Sequence, residues 1–151
     1  MTLTEEMIHE KLEQNFFATL VTKNGAGLNS RTMTYGYLPK TGIFILTQKS
    51  SEKVNEIGND PVGLFHISQI ESDIAQSYDI SISGTFERCE ESSPYYKDGF
   101  EAIGKKNPQV LYLLNSEAKA DYELLLFHIK EIKGWNYFQA INHMPKTIIS
   151  R

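Results

Sequence analysis

The chain has 151 residues and a mass of 17.2 kDa, the size of one domain that buries a core without disulfide or metal staples. Hydrophobic residues at 40%, charged residues at 23%, ten Gly and five Pro exclude the disordered, collagen-like and low-complexity classes. A net charge of −4 speaks against nucleic acid as a partner, and a lone cysteine, Cys89, excludes an internal disulfide and fits a reducing compartment.

Thr2 to Asn15 reads as a helix, with Thr2 and Glu5 as a capping box and Met7, Ile8 and Leu12 on one face. The same segment lacks a basic stretch followed by an apolar core, so no secretory signal is expected there. Phe16 to Lys23 is β-branched and aromatic, and Asn24-Gly25 suits a tight hairpin turn into a second strand, Gly27 to Leu38. Pro39 to Gly42 makes another turn before a third strand, Ile43 to Thr47, which gives a three-stranded antiparallel meander. In SSEKVNEIGND, Ser50 or Ser51 caps a short helix carrying Val54 and Ile57, ended by Gly58 and Pro61.

Strands then resume at Val62 to Ser68 and, after a polar loop from Gln69 to Ser77, at Tyr78 to Cys89, where Ile80, Ile82 and Phe86 alternate. Ser93-Pro94 opens a helix that Asn107-Pro108 stops. An irregular stretch, Gln109 to Asp121, leads to two closing strands, Tyr122 to Ile132 and Trp135 to Ala140, joined around Lys133-Gly134. Six or seven antiparallel strands with two or three helices and hairpin punctuation favour a mainly β (α+β) fold with a closed barrel over an open sheet, a single domain over residues 1–151. The longest apolar run, Leu124 to Phe127, is far short of the ~20 residues that cross a bilayer. A cytoplasmic protein with no membrane partner is expected.

GxGxxG, GxxxxGK[ST], GxSxG and HExxH are all missing, and His9, His66, His128 and His143 have no metal-ligand spacing. Cys89 sits beside Glu90 and Glu91, an acidic setting that raises a thiol pKa and argues against a nucleophile. What remains is a group of cations and hydroxyls at a strand-to-helix step: Arg31, Thr47, Ser50, Ser51 and Lys53. A helix N-terminus with these donors can cradle a phosphate. The same residues also fit a capped helix with a solvated Lys53 and a salt-bridged Arg31, and composition leaves both open.

The succession FATLVTKNGAGLNSRTMTYGYL, GIFILTQKSSEKVNEIGNDPVGLF and ISISGTFERCEE resembles the FMN-binding split-barrel family that includes pyridoxamine 5'-phosphate oxidase and flavoproteins of the general stress protein type. The likeness runs from about residue 10 to 140 and lies in order and spacing. It implies a split β-barrel with peripheral helices, FMN as cofactor, and a homodimer with flavin in clefts between subunits. It further implies that Arg31, Thr47, Ser51 and Lys53 hold the flavin phosphate. Thr32, Met33 and Thr34, with Ile45 and Leu46, would line the isoalloxazine ring. Trp135 would stack against or edge the flavin, or else serve as a core or interface aromatic.

Two positions depart from the pattern. Glu52 stands where oxidase-like members carry an Arg between the Ser and the Lys, and Asp79 stands where a partner-subunit glutamine is expected. The tail NHMPKTIISR also lacks the Arg-x-His arrangement that holds a pyridoxal substrate. An FMN-dependent oxidoreductase is therefore expected, with a nicotinamide donor or other small-molecule substrate, but not a pyridoxamine phosphate oxidase. No general acid or base can be named. The alternatives are a non-catalytic flavin-binding protein in stress or redox sensing, or a haem- or deazaflavin-binding relative, with His66 or His128 serving in the haem case.

Overall fold

The computed structural model describes all residues, Met1–Arg151. Its strands are β1 (Phe17–Asn24), β2 (Gly27–Thr34), β3 (Gly36–Leu38), β4 (Gly42–Gln48), β5 (Val62–Gln69), β6 (Tyr78–Arg88), β7 (Tyr122–Asn136) and β8 (Thr147–Ser150). The helices are α1 (Glu5–Gln14), α2 (Glu52–Asn59), α3 (Tyr96–Gly104), α4 (Val110–Leu114) and α5 (Tyr137–Ile141). All strand pairings are antiparallel, and the sheet runs β2-β1-β5-β6-β7-β4-β3, with β8 added to β7. It curls into a half-barrel whose free edges are β2 and β3, not the closed barrel that the strand count favours, and this is the mainly β split barrel that the family resemblance implies.

Alternation along the strands fills the barrel. Phe65, Phe86 and Phe127 meet with ring centroids 4.7–5.8 Å apart, inside a cluster that also holds Leu20, Ile43, Ile45, Ile80 and Ile82. A second cluster lies on the other face of β4, where Phe44, Leu124 and Leu126 pack beneath Phe100 and Ile103 of α3. Strand β4 is therefore buried on both sides, Ile45 facing the barrel and Leu46 the second cluster. Gly36 lets α3 approach: a Cβ there would meet the Ile103 nitrogen at 2.5 Å.

Several expectations are corrected. The first strands do not form a meander, because β4 pairs with β7 and the short β3, whereas β2 pairs with β1 alone. The expected strand Gly27 to Leu38 breaks at Tyr35, a fully buried residue whose hydroxyl donates to the Leu12 carbonyl at 2.6 Å. The two closing strands are one 15-residue strand, β7, and residues 137–141 form α5, not strand. Lys133-Gly134 is no turn. Gly134 pairs with Ile80 and Thr147, and a Cβ on it would lie 2.9 Å from Ile8 Cδ1, so this glycine serves the docking of α1 on the sheet. Asn136 then starts α5 through a capping box with Gln139.

Smaller differences lie at helix ends. Thr4, not Thr2, caps α1, accepting from the Met7 amide. Ser93 precedes α3 by a turn, with its hydroxyl accepting from the Tyr95 amide. The irregular stretch 109–121 contains α4 and a 3-10 turn, and the tail contributes β8, which the sequence reading did not foresee.

Candidate functional site

The cationic corner forms where α2 packs on β1 and β2. Arg31 projects from β2 and is partly buried; its Nη1 donates to Thr22 Oγ1 at 2.6 Å and its Nη2 to Glu56 Oε1 at 2.7 Å. Glu56, only 5% exposed, also accepts from Asn29 Nδ2 at 2.7 Å and from Thr22 Oγ1 at 3.2 Å. Burial by itself would raise the Glu56 carboxyl; the bonds from Asn29, Arg31 and Thr22 and the Arg31 charge outweigh it and hold the group below its ordinary value.

Ser51 and Lys53 sit at the start of α2. Ser51 is the N-cap residue, yet its hydroxyl makes no cap bond and lies 3.0 Å from Thr47 Oγ1 of β4. The Lys53 ammonium is pushed down, first by burial and then by the Arg31 charge, so the two cations share one neighbourhood. The first amides of a helix have no intrahelical acceptors and face the positive end of the dipole. Arg31, Thr47, Ser51 and Lys53 are thus brought to one corner. Both readings left open by composition describe it in part: Arg31 is salt-bridged, and donors also converge beside it.

A cleft of ≈ 470 Å³ adjoins this corner, lined by Thr32, Met33 and Thr34 of β2, Leu46 of β4, Ile103 of α3 and Val110 and Leu113 of α4, among others. Thr32 directly follows Arg31, and Leu46 directly precedes Thr47, so cleft and corner draw on neighbouring residues of the same two strands, although Arg31, Thr47, Ser51 and Lys53 do not themselves line the cleft. Ile45 does not take part, since its side chain is fully buried in the barrel. Trp135 also lies elsewhere: it lines a separate ≈ 320 Å³ cavity with Gln69, Tyr78 and Asp79, and Lys146 Nζ stands 5.2 Å from its ring.

The remaining singled-out groups are engaged. His66 Nε2 lies 3.0 Å from Asp79 Oδ1, and His128 Nε2 lies 2.8 Å from Glu87 Oε1. Cys89 is buried, and burial ahead of its acidic neighbours raises its thiol pKa, in line with the inert reading. Glu56, Thr22 and Asn29 escaped the sequence reading. Glu56 adjoins the apolar Ile57 on α2, but nothing in the helix's own pattern indicates a strand arginine as its partner.

No protein-family model matches the chain, and no curated protein matches it. Solved structures do. A haem-binding protein from Mycobacterium smegmatis superposes with a TM-score of 0.73 at 16% identity over 98% of this chain, which spans 60% of that protein's length. An FAD-binding protein from Mesorhizobium loti gives 0.72 at 11% identity, covering 89% of this chain and 96% of the other. A protein from Listeria innocua provisionally named pyridoxamine 5'-phosphate oxidase gives 0.64 at 21% identity, covering 85% and 94%. The chain is a split-barrel protein, a fold whose neighbours here include haem-binding and flavin-binding proteins.

No helix is long and apolar enough to cross a membrane.

Proposed function

We propose that the protein binds FMN and acts as a cytoplasmic, homodimeric FMN-dependent oxidoreductase on a small-molecule substrate. The observation that carries this reading is the convergence of Arg31, Lys53, Ser51 and Thr47 at the start of α2 near a partly apolar cleft. The donor set fits a phosphate monoester: a guanidinium with donors beyond the two used on Thr22 and Glu56, an ammonium, two hydroxyls and helix amides. Thr32, Met33, Thr34 and Leu46 would hold the ring. When bound, the flavin would supply hydride or electron transfer. The chain's own residues bind and orient it and keep water from one face of the cleft.

Trp135 lines a different cavity of the chain, so a part for it in this site requires that it come from a second subunit. Asp79 is held by His66 and offers an acceptor where a glutamine would also donate.

Titration of the flavin-free protein with FMN, followed by quenching of flavin fluorescence, tests the reading. R31A removes a charge-assisted bond worth roughly 1.5–3 kcal/mol, so its Kd for FMN should rise about 10- to 150-fold. An unchanged Kd would place the phosphate elsewhere. Saturable bleaching of bound flavin by NADH or NADPH separates an enzyme from a carrier. The haem-binding neighbour makes haem the competing ligand. A Soret band after haem titration, without flavin quenching, would overturn the flavin reading.

A further inference from the structure

The turn that leads from α3 into α4 is tied down at both ends and forms one wall of the ≈ 470 Å³ cleft through Asn107 and Gln109. The Asn107 amide donates to the Ile103 carbonyl of α3 at 2.9 Å, and the Val110 and Leu111 amides donate to the Asn107 and Pro108 carbonyls at 3.1 Å. Ile103 and Val110 are buried in the second cluster. Just ahead of Asn107, Lys106 is held by the Leu12 carbonyl, 2.8 Å from its Nζ, and by the face of the Tyr35 ring. Pro108 fixes its own φ and restricts the backbone of Asn107 before it.

Two carboxamides therefore stand on a firm wall. Asn107 is half-buried and Gln109 exposed, and the side chain of neither makes a hydrogen bond within the chain. The carboxamides of Asn29 and Gln139, by contrast, are engaged by Glu56 and by Pro145 and Thr147. Asn107 and Gln109 keep their donors and acceptors for what enters the cleft. Met33, Leu46 and Val110 line the same space with apolar surface, which suits the faces of a flat ring. A carboxamide holds a donor and an acceptor side by side in one plane, whereas the Thr32 and Thr34 hydroxyls each turn a single donor. It is complementary to a ring edge on which an N–H adjoins a carbonyl.

Resting on the flavin reading above, we propose that Asn107, assisted by Gln109, is the specificity residue of the cleft and reads the pyrimidinedione edge of the flavin ring. Its Nδ2 would donate to a ring carbonyl and its Oδ1 would accept from the N3–H. A porphyrin offers no such edge, since its polar groups are carboxylates. The selection is by ring class and is separate from the hold on the phosphate at Arg31 and Lys53.

Flavin-free protein is titrated with FMN and with 3-methyl-FMN, in which a methyl group replaces the N3 hydrogen, and fluorescence quenching gives both Kd values. Wild-type protein should bind FMN about tenfold more tightly, the effect of losing one hydrogen bond and leaving its acceptor unpaired. N107L keeps the branched shape of the side chain without its donor or acceptor. Its Kd for FMN should rise, and the ratio between the two ligands should fall toward one. R31A should weaken both ligands alike and preserve the ratio. Equal wild-type affinities, or a ratio that N107L leaves unchanged, would overturn this inference while the flavin reading stands. No quenching by FMN at all would overturn that reading and this inference with it.

Discussion

At the scale of single residues, Arg31 is as much a structural group as a binding one. Its partner Glu56 is 5% exposed, and R31A leaves that carboxylate with only Thr22 and Asn29. Removing one partner of a buried acceptor costs about 1–3 kcal/mol, so R31A should unfold at lower urea concentration with an unchanged m-value. Glu56 also sets an acid limit. A carboxyl held below its ordinary value of 4.5 stabilises the fold fully above that pH, and the contribution fades as the pH falls through the lowered value. Thermal melts should therefore show wild-type stability falling below about pH 4.5 more steeply than that of E56Q. Lys106 acts with the opposite consequence. Its amine is lowered in the folded state to about 7 from 10.5, so between those values the unfolded chain binds more protons, and stability rises with pH. Relative to K106M, wild-type stability should climb over that window.

At the scale of elements, glycines mark where helices touch the sheet. Gly36 of β3 faces the backbone of α3, where a Cβ would stand 2.5 Å from the Ile103 nitrogen and 2.7 Å from the Ala102 carbonyl carbon. Neither atom can rotate away. G36A should destabilise by about 1–3 kcal/mol or more. Gly58 in α2 has open space where a Cβ would project, so G58A should stabilise by roughly 0.4–1 kcal/mol through the unfolded chain's lost freedom. Melting of the two variants should move in opposite directions, and a shared direction would contradict this account of the packing. The same chemistry explains how Lys133-Gly134 misleads. In sequence it has the composition of a turn, yet β7 runs straight through it because Gly134 makes room for Ile8 of α1. Turn propensity is local, whereas close approach is decided by the other chain segment. By contrast, β1 with its Asn24-Gly25 turn, β5 and β6 follow directly from alternation, since burial strictly follows their own side-chain periods.

At the scale of the whole molecule, the sheet ends at β2 and β3 and does not close, so the barrel has a split, and the ≈ 470 Å³ cleft lies beside it. Strand β2 pairs on one side only, and Leu28 on it is 70% exposed, as Phe17 on β1 is at 60%. Such exposed apolar surface is consistent with the proposed second copy. Light scattering should accordingly give twice 17.2 kDa. A monomer that still holds FMN would contradict a two-subunit cleft.

What the amino-acid sequence determined alone was the fold class and the identity of the donor cluster. Side-chain alternation is imposed residue by residue, and hydroxyls and cations around a short helix start are visible without coordinates. The tertiary structure decided which strands are neighbours, and with that the surroundings of each donor. Thr47 reaches the corner although β4 is paired with β7, Ile45 turns into the barrel, and Trp135 lies in another cavity. The Glu56 carboxylate on Arg31 is likewise a product of packing α2 against β1 and β2. Pairing and close approach depend on segments far apart in the chain, whose meeting is settled only when the whole core is buried at once.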